Sequence, residues 1–475
     1  MSLSRRLFLS GAATTMAFSG FAQRSGAQSA GTTAGKAAAE TYRNEVYGYG
    51  PLMKDPHGIF DLPAGFEYEI ISQAGETMSD GLLVPAKCDG MGAFQFEPDR
   101  VTLVRNHELK HTDTNQGPFG LKQRLAGGFD KSRAYDTGRG DAPLPGGTTT
   151  LVYDTRARKL VSQHLSLSGT TVNCAGGTTP WGSWLSCEEW LSPKTSPLSK
   201  SHGWVFEVPA NSRTLADPTP IRDMGRFQHE AAAVDPGTGI IYLTEDSWDG
   251  FGLFYRYLPN DRTQPLKGGR LQALGLKDQP KGGDTRNWDR RTWNVGDTKD
   301  VVWIDVKGVD NPHEDLRHRG HAAGAAWFAR GEGVHFGNRE LYFTCTSGGA
   351  AKIGQIMRYR PSPKEGQPGE RAHPGKLQLF VESADKTLLD FADNITIAPW
   401  GHLIACEDQY TDNPVNHLRG ITPDGKTYAI GRNVYPGNAE LAGACFSPDG
   451  EVMFVNIYLP GMTLAIRGPW GAYRA

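Results

Sequence analysis

Apolar residues along this chain come in bursts of four to seven positions, each closed off by Gly, Pro, Asp or Asn. Clear cases are VTLVRNHE (101–108), TTTLVYDT (148–155), GWVFEVP (203–209), GIIYLTED (239–246), GLFYRYLP (252–259), ELYFTCTSGG (340–349), QIMRYRP (355–361), HLIACEDQ (402–409) and VMFVNIYLPG (452–461). Their wealth of Val, Ile, Tyr and Phe predicts strands, because β-branched and aromatic side chains suit a pleated, half-buried surface. No long segment carries a 3.6-residue apolar period, so few helices are expected. Asp249-Gly250 sits between two bursts as a hairpin turn. Units of roughly 45–60 residues each hold several strands, which fits radially repeated sheets better than a sandwich. The predicted fold is all-β: a six-bladed β-propeller with loop insertions, spanning 46–475 as one catalytic domain. The polar stretch Asn260–Thr298, heavy in Gly, Lys and Asp, is expected to be a surface loop.

Composition narrows the class. The chain has 475 residues, with 59 Gly, 30 Pro and 11 Trp, as many short strands and tight turns require. The net charge is −2, and losing Arg5, Arg6 and Arg24 would take it to −5 (−2 − 3), far from the balance of a nucleic-acid binder. Six cysteines (88, 174, 187, 345, 406, 445) are scattered without a CxxC pair. Their even number permits disulfides in an exported chain, but Cys187, Cys345 and Cys406 fall inside strand-like runs, where a small buried residue is the simpler reading.

The first residues set the compartment. Ser4-Arg5-Arg6-Leu7-Phe8-Leu9 is a twin-arginine motif, followed by an apolar run of small residues from Gly11 to Ala22. Residues 1–27 are expected to be a twin-arginine signal, ending at Ala22 or Ala27, and 28–45 a flexible leader. The run is too short to span a bilayer, and no later stretch is long enough. The mature protein is expected in the periplasm or outside the cell, delivered by the twin-arginine machinery, as a monomer with no stable membrane anchor. That route carries folded chains, which hints at a cofactor inserted before export.

The chemistry concentrates in NCAGGTTPWGSWLSCEEW (173–190), where Cys174 stands beside a diglycine and a short strand ends in Glu188-Glu189. Adjacent carboxylates repel unless a cation holds them, and a thiol adds a soft ligand. Other strand ends are acidic too: Glu108, Glu230, Glu245, Asp246, Asp393, Glu407 and Asp408. In a propeller, strand ends from all blades converge on one channel. Several inward carboxylates would then need Ca²⁺, Mg²⁺ or Mn²⁺, and the thiol invites iron or zinc. His107 and His229 precede two of these carboxylates, as ligands, proton donors or core histidines. His313, His318 and His321 fit no zinc spacing.

Five stretches carry a resemblance: RNHE (105–108), NCAGGTTPWGSWLSCEE (173–189), GRFQHEAAAVDP (225–236), FARGEG (328–333) and ADNITIAPWGHLIACED (392–408), with a weaker echo in FSPDGEVMFVNIYLPG (446–461). In this order they resemble the PhoX-type alkaline phosphatases, a group exported by the twin-arginine route. The resemblance implies a propeller with an iron–calcium cluster, Fe(III) and Ca²⁺, in its channel, hydrolysing small phosphomonoesters. It implies Cys174 as thiolate ligand to iron with Asn173 beside it, Glu245, Glu332 and Asp393 as metal-binding carboxylates, and Arg330 in contact with the phosphate. Glu108, Glu188, Glu189, Glu230, Glu407 and Asp408 match by motif and take their roles from chemistry, as calcium ligands or groups that orient them.

Two departures matter. The chain is shorter than is typical of the group, so loops around the channel mouth are expected to be trimmed. Ser168 to Val172 contain no carboxylate, where one more acidic ligand is expected. A phosphodiesterase, a Ca²⁺-dependent propeller lactonase or esterase, and a non-catalytic Ca²⁺-stabilised binding propeller stay open as alternatives. Neither of the last two requires Cys174.

Overall fold

The computed structural model describes residues 40–140, 142–192, 197–409, 415–437 and 439–475. The twin-arginine signal and residues 28–39 of the leader fall outside the described residues. Among the described residues no helix is long and apolar enough to cross a membrane.

Six inner strands stand side by side in a closed ring: Cys88–Glu97, Asn173–Thr178, His229–Val234, Gly331–Gly337, Ala392–Ile397 and Leu441–Phe446, the last returning against the first. Each begins an antiparallel meander running outward, and these meanders are numbered here as blades one to six in chain order. Blade six takes its outer strand from the other end of the chain: Glu67–Gln73 pairs with Met462–Arg467, placing Met462 opposite Gln73 and Arg467 opposite Glu67. The propeller is thus closed by strand pairing between distant segments. Blade five is widened by Phe60–Pro63 and Leu52–Met53.

The apolar bursts face neighbouring blades rather than one central core. Phe94 and Val104 of blade one meet Trp184 and Phe206 of blade two. Leu185 and Val205 of blade two meet Ile241, Leu243 and Tyr255 of blade three. Phe254 of blade three stacks on Phe343 of blade four at 4.2 Å between ring centroids. Both faces of most strands are buried this way, so the runs read as nearly continuous apolar stretches rather than alternating ones.

The expectation of a loop over Asn260–Thr298 needs correction. Gly269–Leu276 is the outer strand of blade three, and Thr298–Asp305 bridges it to Lys376–Glu382, the outer strand of blade four. The two blades form one nine-stranded sheet. Flanking Gly and Lys residues hid a strand that is buried from Leu271 to Leu276. All six cysteines are buried and none is in a disulfide, and Cys187, Cys345 and Cys406 sit inside strands, as the simpler reading had it. One seven-residue helix, Leu316–Ala322, carries His318 and His321; the His321 ring stacks on Trp327 at 4.1 Å.

Candidate metal centre

A single backbone device, repeated six times, builds the mouth of the channel. In each blade a residue at the start of the inner strand, two positions ahead of the ligand where the blade has one, offers its carbonyl to the amide that follows the blade's second strand. The pairs are Lys87 with Glu108 (3.0 Å), Val172 with Glu189 (2.9 Å), Gln228 with Asp246 (3.1 Å), Arg330 with Thr346 (2.9 Å), Phe391 with Asp408 (3.0 Å) and Glu440 with Tyr458 (3.1 Å). Four of the accepting residues are non-glycine residues in the left-handed region, Lys87, Val172, Arg330 and Phe391 at φ 50 to 58°. Such backbone is costly, about 1–3 kcal/mol per residue, and tends to gather at functional sites.

Two residues beyond these carbonyls stand Asp89, Cys174, Glu230, Glu332, Asp393 and Ala442. In the five blades that carry a donor the strand register slips across this position, for example between Asn173 and Gly176 and between His229 and Ala232, and in blade six it slips just after Ala442. Such a bulge re-aims a side chain that regular pleating would send into the blade. It also strips carbonyls of their ladder partners, and the preceding blade supplies substitutes. Asn106 Nδ2 donates to the carbonyls of Cys174 (3.0 Å) and Ala175 (2.7 Å), Thr344 Oγ1 to that of Asp393 (2.7 Å), Thr244 to Glu332 and Asn456 to Asp89.

One position further on, at Gly90 and Gly333, neighbouring strands come too close for a side chain. A Cβ on Gly90 would lie 2.4 Å from Ala175 Cα, and one on Gly333 would lie 2.6 Å from the Ile395 nitrogen. The donors therefore sit above a tightly packed collar.

The result is a chain of three donor sets: Asp89, Glu108 and Cys174; Cys174, Glu189 and Glu230; Glu230, Glu332 and Asp393. Within each set the ligand atoms lie within 4.8 Å of one another, and every member is buried. Cys174 belongs to the first two sets and Glu230 to the last two. The Cys174 thiol lies 2.6 Å from Glu189 Oε2. Burial, followed by the charges of Glu332, Glu189, Asp393 and Asp89, drives the Glu230 carboxyl well above the usual carboxylate range. Six carboxylates around one thiol in a dry channel require protons or cations, and hard oxygen donors with one soft sulfur fit cations.

The structure brings together Glu108, Cys174, Glu189, Glu230, Glu332 and Asp393 from the residues singled out in the sequence, and adds Asp89. Asp89 was legible only through the blade repeat: it holds in Cys88-Asp89-Gly90 the place that Cys174 holds in Asn173-Cys174-Ala175. Glu440 was missed as well. Burial, then the Asp408 charge and hydrogen bond and the charges of Asp89 and Glu108, holds its carboxyl well above the usual range, so Asp408 and Glu440 form an acidic pair flanking the first donor set.

Other residues stand elsewhere. The Glu188 oxygens accept from the amides of Thr171 (3.0 Å) and Gly203 (2.9 Å) and from His202 Nδ1 (2.7 Å). Glu407 accepts from the His417 ring (2.8 Å) and Arg419 Nε (3.0 Å). Both turn into their own blades, where they tie strand ends. Asn173 accepts from Thr170 Oγ1 (2.6 Å) and donates to Ser186 Oγ (2.9 Å), bracing the strand of Cys174. Glu245 lies outside the three sets; its Oε2 accepts from the Leu253 amide (3.0 Å) and the Tyr255 hydroxyl (2.9 Å), and burial pushes its pKa up to about 7.

His107 and His229 are core histidines. His107 is held by the Ala86 carbonyl (3.0 Å) and Thr149 Oγ1 (2.8 Å), and burial takes its pKa well below the ordinary value. His229 lies on the Phe227 ring at 3.6 Å, and burial takes it to about 3.

Arg330 is buried at the edge of the third donor set. Its Nε donates to Asp246 Oδ1 at 2.8 Å, its Nη2 to Asp246 Oδ2, and Nη2 stands 3.0 Å from Glu332 Oε1. Asp246 thus grips one edge of the guanidinium and fixes its plane beside a donor carboxylate.

A family model described as alkaline phosphatase PhoX matches residues 47–461. No curated protein matches in sequence. Among solved structures, Pseudomonas fluorescens PhoX in complex with vanadate, a transition state analogue, is similar at TM-score 0.61 and 18% identity, over 90% of this chain and 98% of that one. A gluconolactonase from Xanthomonas campestris aligns over 84% of this chain and 100% of its own, at TM-score 0.34 and 12% identity.

Proposed function

Because the chain belongs to the PhoX family of alkaline phosphatases, which makes it a phosphoester hydrolase, we propose that it hydrolyses phosphomonoesters with an iron–calcium cluster at the channel mouth. The observation that carries this reading is the run of three overlapping donor sets with a thiol where two of them join. Cys174 suits iron, while Asp89, Glu108, Glu189, Glu230, Glu332 and Asp393 supply the hard oxygens that calcium prefers. Metals held there supply Lewis acidity toward phosphoryl oxygens and lower the pKa of water.

The protein's own groups position and neutralise. Arg330, its plane set by Asp246, offers donors to the phosphoryl oxygens as negative charge accumulates on them. The bulged strands and their inter-blade hydrogen bonds hold the donors rigidly. The close-packed strands at Gly90, Ala175 and Gly333 fix neighbouring blades against one another beneath the donors. The related Pseudomonas protein, in complex with vanadate as a transition state analogue, supports phosphoryl chemistry for this chain. The twin-arginine motif supports export to the periplasm or beyond, where the enzyme would release phosphate from organic esters. A lone-calcium lactonase would leave Cys174 without a purpose.

The test is elemental analysis of the natively exported protein, paired with turnover of phenyl phosphate and bis-phenyl phosphate. Iron and calcium together with preference for the monoester is the expected result. Calcium without iron removes the role of Cys174, and preference for the diester moves the reading to a phosphodiesterase.

A further inference from the structure

Beside the donor sets, between blades two and three, an open cleft with about 630 Å³ of empty space, solvent at its mouth included, is lined by Trp190, Trp248, Glu245 and Arg317 among others. The Trp248 indole is 37% exposed although it adjoins a buried cluster. Its Nε1–H donates to Glu189 Oε1 at 2.8 Å, while Glu189 Oε2 faces the Cys174 thiol. One carboxylate therefore separates the indole from the donor cluster.

The indole is also held still. Its ring meets that of Trp190 with centroids 5.6 Å apart and planes at 52°. Lys110 Nζ lies 5.7 Å from the Trp190 ring centre and braces it in turn. Asp249, the next residue in the loop, accepts from Ser247 Oγ (2.6 Å), the Phe251 amide (3.1 Å) and Arg317 Nη1 (3.0 Å). A large aromatic surface exposed and already oriented is a binding platform that loses little entropy when used.

We propose, resting on the phosphatase reading above, that Trp248, braced by Trp190, is the leaving-group subsite and selects phosphomonoesters whose leaving group is a flat aromatic ring over those with an aliphatic one. An ester whose phosphoryl group reaches the cluster beside Glu189 brings its leaving group over the indole bonded to that same carboxylate. Stacking accepts any flat ring, so the subsite specifies a class of ester rather than one compound.

The experiment compares inhibition of the metal-loaded enzyme by phenylphosphonate and methylphosphonate, which removes differences in leaving-group reactivity. It uses the wild type, W248A, W248F and W190A, with iron and calcium measured in each. The expected result is tighter inhibition by phenylphosphonate in the wild type, with the ratio of the two inhibition constants falling about tenfold in W248A. W248F keeps the ring without the Nε1 donor and is expected to stay within about threefold of the wild type, with W190A falling in between. A ratio unchanged in W248A overturns the proposal. So does a ratio that falls as far in W248F as in W248A, because the effect would then act through Glu189. If the wild type hydrolyses no phosphomonoester, the phosphatase reading itself fails and the subsite falls with it. Turnover with a flat ratio sinks the subsite alone.

Discussion

Cys174 and Glu189, fifteen positions apart, meet with sulfur and carboxylate oxygen 2.6 Å from each other in the middle of the acidic channel. They come from the first strand of blade two and the turn after its second strand, so the blade's own meander creates the contact. Glu189 joins Cys174 and Glu230 in the central donor set, and Cys174 also joins the first. Removing the sulfur should therefore affect two neighbouring metal positions. C174S is expected to lose most of its iron and at least tenfold in kcat/KM, while E189Q is expected to lose calcium as well. Metal analysis and turnover on the same preparations check this. Retention of full iron by C174S would show that the thiol is a packing residue. Chelation of the wild type should lower Tm, since cations that bind only the folded channel stabilise it.

Arg330 carries the second expectation. R330A is expected to cost on the order of 10²-fold in kcat/KM, as loss of a transition-state donor does. Asp246 touches the guanidinium rather than substrate, so D246N should cost less, roughly tenfold, by loosening its plane. Because both act through one group, the double variant should cost no more than R330A alone. Additive losses would mean that Asp246 has a separate role. R330K, which keeps the charge but loses the fork, should remain well below the wild type.

Much of this site was legible in the sequence, for a physical reason. Strand ends of a propeller converge, so acidic strand ends announce the channel before any contact is known. Glu108, Glu189, Glu230 and Asp393 meet at the channel mouth, where that argument puts them, and Glu332, which entered through the family resemblance, joins them. It failed to separate Glu188 from Glu189, because adjacent residues at a strand end turn to opposite sides and only the fold says which side is inward. Glu188 and Glu407 face the blades, one bonded to His202 and the other to His417 and Arg419. Asp89 was passed over because the stretch after it, Gly90 to Glu97, holds no Val or Ile and does not read as a strand. It enters from the start of an inner strand, aimed by a bulge that no alternation pattern reveals. The strand Gly269–Leu276 was hidden by polar flanks.

The diglycine of Cys174-Ala175-Gly176-Gly177 is a packing requirement rather than a conformational one. Neither glycine has a positive φ. A Cβ on Gly176 would lie 1.8 Å from the Leu185 carbonyl of the same blade, and one on Gly177 would lie 2.0 Å from the Ala232 carbonyl of blade three. Both obstacles are backbone, so neither can yield without moving a strand. G176A and G177A are each expected to destabilise by about 3 kcal/mol or more, measured as a fall in denaturation midpoint. A midpoint within error of the wild type would show that blades two and three shift apart more easily than this packing implies.

The last expectation concerns pH. His202 is fully buried between two carboxylates, its Nδ1 donating to Glu188 Oε1 at 2.7 Å and its Nε2 to Asp136 Oδ2 at 3.2 Å. Burial pulls the imidazole pKa down, but Glu188 and Asp136 outweigh it and raise the value to about 9 from 6.5. Asp136 is held well below the usual carboxylate range, its hydrogen bonds to His202, Ser199 and nearby amides overcoming burial. A folded value above the unfolded one means that the charged imidazole stabilises the fold. That contribution is complete below pH 6.5 and disappears as pH rises through about 9; its full size is on the order of 3 kcal/mol. Above pH 9 the neutral ring can donate only one proton, leaving one carboxylate buried with a partner fewer. At constant metal load, Tm of the wild type is expected to fall by a few degrees from pH 6.5 to 9.5 relative to H202Q, which starts lower and stays flatter. Parallel pH profiles for the two proteins would mean that His202 is already neutral at pH 6.5, and the buried bridge between Asp136 and Glu188 would then be held by neutral hydrogen bonds alone.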